Sequence, residues 1–382
     1  MSWQEVAVNH RRALHRIPEL GFCESRTSDY LFSALTEMGL EPKRLTETGM
    51  IADITGERPG KCVVLRSDID ALPLAEQTGL SFASQHPLAM HACGHDGHMA
   101  MLLTCAARLV QDRSFAGTVR LLLQPSEEQP PGGAAPMIEQ GCLDGVDEIY
   151  GLHVWPQYPV GTVGIRAGVM MAFSDKFRIT VHGRGGHGSE PAGTQDAVVI
   201  ASQIVANLQT VVSRRISAFE PAVLTCGTIH SGVNFNIIAE DAEITGTVRT
   251  LSGSVQNIIE NAMRDIVEHT AKSYGAQALL EYERSYPAVV NNAEAVKRWV
   301  SAIDDAVTVV ENLPAMAGED FSYYLQQRPG AFLFLGCKPY GDEWYPLHSP
   351  HFSVNEDALS IGAELLYRVA LNALSSPPIP TP

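Results

Sequence analysis

Four short apolar runs constrain this chain more than any other feature: 62–66 (Cys-Val-Val-Leu-Arg), 119–123 (Val-Arg-Leu-Leu-Leu), 149–154 (Ile-Tyr-Gly-Leu-His-Val) and 331–336 (Ala-Phe-Leu-Phe-Leu-Gly). Runs this short and continuously apolar suit strands buried on both faces. Segments with helical character lie among them, near 3–16, 25–38 and 99–110. Strands alternating with helices predict an α/β fold with a mostly parallel sheet covered on both sides. In such sheets ligands bind beyond the carboxyl ends of the strands. The conspicuous polar residues fall there: Asp68 and Asp70 after the first run, Glu127 and Glu128 after the second, and His153 at the end of the third. Topology alone therefore predicts that separate segments converge on one edge.

From about residue 172 the pattern changes. Residues 176–182 alternate as a half-buried strand, and a helix follows over roughly 195–213. Strands are expected near 222–229 and 240–250, a helix over 255–272, and a last strand over 279–284. The order β-α-β-β-α-β is the split, ferredoxin-like unit. The α/β pattern then resumes, which predicts a domain of 1–171 with 287–382, interrupted by an inserted domain of 172–286. Two domains also suit a chain of 382 residues. The Pro-rich end, 375–380, is expected to fray.

Composition excludes several classes. A net charge of −16 argues against nucleic acid as a partner, since phosphate binding needs a basic face. The N-terminal residues lack the basic and apolar regions of a signal peptide, and no apolar run approaches the roughly 18 residues needed to cross a bilayer. A cytoplasmic protein with no membrane partner is expected. Seven scattered cysteines do not read as a disulfide framework.

Residues 91–98 read His-Ala-Cys-Gly-His-Asp-Gly-His, at the mouth of a helix. Thiolate, imidazole and carboxylate are the groups that hold divalent transition metals. Cys93 and His95 lie two apart in a loop where both can face one site; Glu128, His153 and a later histidine complete two centres. His348 is the best placed of the late histidines, because it follows the 331–336 run. A thiolate between two cations can bridge them. Taken singly these features are ordinary: paired glutamates are usually solvated, and a histidine in an apolar strand is usually core. Their shared place at strand ends outweighs that. A structural zinc site is disfavoured, being compact and cysteine-rich.

The motifs together resemble the M20 metallopeptidase family, in its amidohydrolase branch of hippurate hydrolases, N-acyl-amino-acid deacylases and auxin-conjugate hydrolases. The resemblance runs through His15-Arg16-Ile17-Pro18-Glu19-Leu20, Arg66-Ser67-Asp68-Ile69-Asp70-Ala71-Leu72-Pro73, Ala92–His98, Gln124-Pro125-Ser126-Glu127-Glu128, Gly151-Leu152-His153, Gly185-Gly186-His187-Gly188, Gly318-Glu319-Asp320-Phe321 and His348-Ser349-Pro350. It implies a metallopeptidase catalytic domain with an inserted lid and dimerisation domain, and two divalent metal ions. Zn or Mn is expected, with Co or Ni also accommodated by such ligands. The implied ligands are Cys93 (bridging), His95, Glu128, His153 and His348. Glu127 is implied as general base, Asp70 as the residue orienting a ligand, and Asp68 as a weaker ligand candidate. His187 is implied as the oxyanion donor, usually across a dimer interface, and Asn236 with Arg249 as the clamp on the substrate carboxylate. The chain departs from the family pattern in Asn236-Ile237-Ile238-Ala239 and in Gln129-Pro130-Pro131. The implied activity is metal-dependent hydrolysis of N-acyl amino acids by a homodimer. The alternatives are a dipeptidase or aminopeptidase of the same fold, and a non-catalytic metal-binding protein.

Overall fold

The computed structural model describes residues 1–311, 314–341 and 343–381. The chain divides into two compact units, one of Met1–Met170, Val289–Leu313 and Asp320–Pro382, the other of Met171–Ala288 and Pro314–Glu319. The segment 314–319 thus joins the inserted unit. The reason is local: the amide of Ala172 donates to the carbonyls of both Ala315 (3.0 Å) and Ala317 (3.1 Å).

The first unit is built on an eight-stranded sheet. Its order is Lys43–Arg44, Met50–Thr55, Ala116–Gln124, Arg58–Asp68, Glu148–Pro159, Gly330–Lys338, Thr162–Ile165 and Thr308–Glu311. The four middle strands are the four apolar runs, and they are parallel throughout. Val63, Val64, Leu65, Leu121, Leu122, Phe332 and Leu333 are fully buried, as strands covered on both faces require. Antiparallel pairings flank this parallel centre. The flanking strands are short, and periodicity did not single them out.

Two helices deserve mention because they position the site. His95–Gln111 has thirteen of its seventeen residues buried, so it is a central helix. It begins at His95, four residues earlier than expected. Asp357–Ser375, not anticipated from the sequence, packs against it, and its Leu359, Ala363, Leu366 and Ala370 are buried in the same core. Gly362 permits the approach, since a Cβ there would lie 1.9 Å from the Met101 sulfur. The Pro-rich end is not frayed up to Ile379: that side chain is buried, and Lys61 and Arg298 donate to the carbonyls of Ser376 and Pro377. Buried Arg298 and half-buried Lys61 thereby hold a segment that composition alone would leave loose.

The second unit is a four-stranded antiparallel sheet ordered Ala222–Ser231, Asp241–Thr250, Phe173–His182, Gln277–Tyr286, with the helices Ala197–Thr210 and Gly253–Ser273. Its own core joins Phe177, Ile179 and Val181 to Ile200, Ile204, Ile259 and Met263. Among the described residues, Ala197–Arg215 is long and apolar enough to cross a membrane, although polar residues interrupt its apolar run. Its Ile200, Ala201, Ile204 and Leu208 instead pack in this core, while Asp196 caps its start and Arg214 and Arg215 stand at its end.

Candidate metal centre

The carboxyl ends of the parallel strands deliver the ligand candidates of the first unit to one place. Asp68 is the last residue of its strand, and Asp70 follows, fully buried. His153 does not end its strand, which continues to Pro159. It emerges two residues beyond the last pairing with the neighbouring strand, Arg66 with Gly151, which places it at that neighbour's carboxyl end. Gly94 sits between Cys93 and His95 with φ +86°, and a Cβ on it would lie 2.4 Å from a Val154 methyl. Only glycine tolerates both the left-handed backbone and the contact. The turn puts Cys93 just outside the helix and His95 at its first position. His348 arrives from the far end of the chain, its amide donating to the Ala92 carbonyl (2.9 Å). Its own backbone is left-handed, φ +66°, a conformation uncommon in non-glycine residues and enriched at functional sites.

Two of the resulting donor groups share one sulfur. The donor atoms of Cys93, His95 and His153 lie within 4.8 Å of one another, as do those of Cys93, Glu128 and His348. Cys93 Sγ is 3.3 Å from His153 Nε2, and His348 Nε2 is 3.3 Å from Glu128 Oε1. The carboxylate of Glu127 falls in a third such group with His95 and Glu128.

Hydrogen bonds set the tautomers. His95 Nδ1 faces the Asp70 carbonyl (2.9 Å), and His153 Nδ1 faces the Val154 carbonyl (2.7 Å). A carbonyl only accepts, so each Nδ1 carries its proton and each Nε2 presents a lone pair. His95 Nε2 and Glu128 Oε1 are buried and make no well-formed hydrogen bond, the latter facing His348 Nε2 at 3.3 Å. Buried polar atoms are rarely left so; two of them aimed into one acidic pocket fit a bound cation. Asp70 serves both sides: one carboxylate oxygen faces His95 Nδ1 (3.1 Å), and the other accepts the Glu128 amide (3.0 Å).

The electrostatics point the same way. Burial opposes charge on His95, yet Asp68 and Asp70 hold its pKa up at about 10. The surroundings therefore call for positive charge at Nε2, which a metal ion supplies. Burial, then Glu128 and Glu127, push the Cys93 thiol well above its ordinary value. A coordinated cation reverses that and keeps the thiolate. Burial and the neighbouring His98 hold His153 neutral.

Other residues of the motifs have structural partners. His98 is fully engaged: Nδ1 donates to Asp68 (2.7 Å), and Nε2 accepts the Val154 amide (3.0 Å). Asp68 binds His98 with one oxygen and Arg66 (2.9 Å) with the other, which suits a support, while its carboxylate also groups with the donor atoms of His95 and His98. Arg66 also reaches Gln124 (2.9 Å) and Asp320 (3.0 Å), and Asp320 accepts from the Gln124 side chain and the Ala134 amide. This buried network ties the two strand ends together. The sequence showed Arg66 and Asp320 only as parts of motifs. Asp96 pairs with Arg11 (3.0 Å) and His15 (2.8 Å), anchoring the helix Trp3–His15 beside the Cys93 turn.

The candidates of the second unit are arranged differently. His187 is exposed and pairs with Ile237 in a two-stranded ladder, and the Gly188 amide donates to the Asn236 carbonyl. His187 and Asn236 thus share one corner, beside a depression of about 640 Å³. The Ser189 amide donates to His187 Nδ1 (3.2 Å), which leaves the proton on Nε2. Arg249 is eight residues along Asp241–Thr250 from Asp241, which borders that depression, a separation of about 27 Å at strand rise. Its guanidinium donates to the Asp175 and Val248 carbonyls and to Thr247. One copy of this unit therefore does not bring Arg249 and Asn236 together as a single clamp.

Residues 64–372 match the family model described as peptidase family M20/M25/M40. The chain belongs to the M20 family. It is 40% identical over 379 residues to an N-acetyl-L-cysteine deacetylase of Bacillus subtilis, covering 98% of this chain and 89% of that one. It is 42% identical over 366 residues to thermostable carboxypeptidase 1 of Saccharolobus solfataricus, covering 94% and 93%. Among solved structures it resembles a dinuclear metal-binding M20 peptidase of Bacillus subtilis, with a TM-score of 0.84, 34% identity, and 98% and 99% coverage. This M20 member is accordingly a hydrolase acting on amides, and its donor groups are of the kind that can hold divalent metal ions.

Proposed function

We propose that this M20 enzyme hydrolyses N-acyl amino acids, such as N-acetyl or N-benzoyl conjugates, to a carboxylate and a free amino acid, with Glu127 as general base. The observation that carries the reading is the pair of donor groups sharing Cys93, with the Glu127 carboxylate beside them. The ligands proposed are Cys93, His95, Glu128, His153 and His348, with Asp70 orienting His95 and Glu128. Two bound divalent ions, Zn or Mn, supply water activation and carbonyl polarisation. Glu127, almost wholly buried, accepts the proton of the attacking water and passes it to the leaving nitrogen. His187, with its proton on Nε2, donates to the oxyanion that forms on the carbonyl. Asn236 and Arg249 bind the carboxylate of the amino-acid half, arginine through its planar fork.

Support for the substrate class comes from the relatives. A deacetylase of N-acetyl-L-cysteine and a carboxypeptidase both release an amino acid from an acyl group. The second unit acts as lid and dimerisation surface in this proposal. Its strand Ala222–Ser231 lies at a sheet edge, and Phe219, Val233 and Phe235 nearby are almost fully exposed; open edges and apolar patches are places where a second chain binds. A dimer also answers the separation of Arg249 from Asn236, one coming from each copy.

The test is Glu127→Gln, with bound metal and turnover both measured. Turnover is expected to fall about 10³-fold with metal content unchanged. Substantial remaining activity sinks the assignment of Glu127. A panel of N-acetyl, N-benzoyl and longer N-acyl amino acids beside free dipeptides separates the deacylase from a dipeptidase. A metal-loaded enzyme inert to the whole panel would revive the non-catalytic reading.

A further inference from the structure

The segment that follows the His15–Leu20 motif has no part in the mechanism above, yet it runs against the turn that carries Glu127. Glu24 is the residue of interest. It stands at the start of the helix Ser25–Glu37, where a carboxylate would ordinarily accept the first free amides. Glu19 takes that task, accepting the amides of Arg26 (3.2 Å) and Thr27 (2.9 Å). Glu24 caps nothing on its own helix. Fully buried, it turns away: one oxygen accepts the Ser126 amide (2.8 Å), 102 residues further on, and the other accepts the Thr48 hydroxyl (2.8 Å).

Ser126 immediately precedes Glu127 and has φ +49°, left-handed backbone in a non-glycine residue. Such a conformation persists only where the surroundings over-determine it. Here three backbone groups are held. The Ser126 amide is held by Glu24, the Ser126 carbonyl accepts the Gly133 amide (3.0 Å), and the Glu128 amide donates to Asp70 (3.0 Å). Gly21 completes the fit, because a Cβ there would lie 2.4 Å from Ser126 Oγ. Without Glu24 the Ser126 amide would lose its buried acceptor, which a folded backbone rarely tolerates. Burial pushes the Glu24 carboxyl up to about 7, with the Thr48 bond pulling the other way. An acid kept in so unfavourable a place needs a reason.

We propose that Glu24 is a positioning residue for the general base: its carboxylate grips the Ser126 amide and fixes the turn from which Glu127 projects. The proposal rests on the reading of Glu127 as base. It predicts a defect in turnover, separable from metal binding, because the ligand Glu128 is held independently by Asp70.

The experiment compares Glu24→Ala, Glu24→Gln, Thr48→Val and Glu127→Gln, measuring kcat and KM on an N-acetyl amino acid, bound metal per chain and thermal stability. Glu24→Ala is expected to lower kcat about 10²-fold, the scale of a catalytic group displaced by about 1 Å, with KM and metal content unchanged. Glu24→Gln keeps an acceptor oxygen of the same reach and should fall less, and Thr48→Val least. A folded Glu24→Ala with wild-type kcat overturns the proposal, as does a loss of kcat that merely follows loss of metal. Should Glu24→Ala not fold, Glu24→Gln decides: reduced kcat at full metal content supports the role, and wild-type kcat overturns it. The two readings fail separately, since an active Glu127→Gln removes the base whatever Glu24 does. An inert Glu127→Gln beside an unimpaired Glu24 variant removes only Glu24.

Discussion

The candidate metal ligands of the first unit and the substrate-binding candidates of the second are built on opposite plans. Cys93, His95 and His153 are buried, and each histidine is held in one tautomer by a carbonyl. His187 is exposed, supported by its neighbour Ser189, and Arg249 lies at the other end of a strand from the His187 corner. A metal site must be preorganised, because repulsion among unscreened acids and misplaced lone pairs both weaken binding. Groups that meet a substrate or a second chain stay accessible. The contrast teaches where each kind of damage should appear: in metal content for the first region, in kinetics at full metal content for the second.

The sharpest break of that contrast is Cys93→Ala. It removes the donor common to both groups, so metal content and turnover should fall together to background, as a chelator should also make them do; metal analysis beside an activity assay checks both. Next comes His187→Ala, expected to lower kcat by about 10²–10³-fold, the size of a lost oxyanion donor, with metal content intact. Mixing inactive His187→Ala with inactive Glu127→Gln protein sharpens the point. Recovery of activity on mixing means the two residues act from different copies; none at all means a single chain supplies both. Asp70→Asn should weaken metal binding by about 10–100-fold, read by competition with a chelator. Arg249→Ala should raise KM by about tenfold, the scale of a hydrogen bond to a charged group, and metal loss in that variant would contradict the division.

The smallest effect concerns the anchor behind the cluster. Burial opposes charge on His15, but Asp96 and Glu76 hold its pKa near 9, above the ordinary 6.5. Its raised folded-state value means that the stabilisation is fully present below about pH 6.5 and is lost as pH rises through about 9. The difference in melting temperature between wild type and His15→Gln should therefore shrink over that interval; a difference that stays constant from pH 6 to pH 10 would sink the assignment.

Much of this was legible in the residues. Four apolar runs gave the parallel centre, since continuous apolar character and strand length are local properties, and placing Asp70, Glu127, Glu128 and His153 near their ends followed from topology. The β-α-β-β-α-β order of the inserted unit was equally local. What escaped the sequence was the choice of partner. His98 carries the same side chain as His95, yet one nitrogen is spent on Asp68 and the other on the Val154 amide. Glu19 and Glu24 are five apart and chemically alike, yet one caps a helix and the other reaches Ser126. The helix Asp357–Ser375 and the seated tail depend on Gly362, Lys61 and Arg298 finding partners far along the chain.

Sequence by itself determined the four central strands, the element order of the inserted unit and the inventory of donors, because periodicity and side-chain chemistry are written residue by residue. Only the tertiary structure decided which imidazole keeps a free lone pair, and which donors gather with Cys93 in each of its two groups. Those outcomes depend on contacts between residues 25 to 255 apart in the chain, which packing sets and local pattern does not encode.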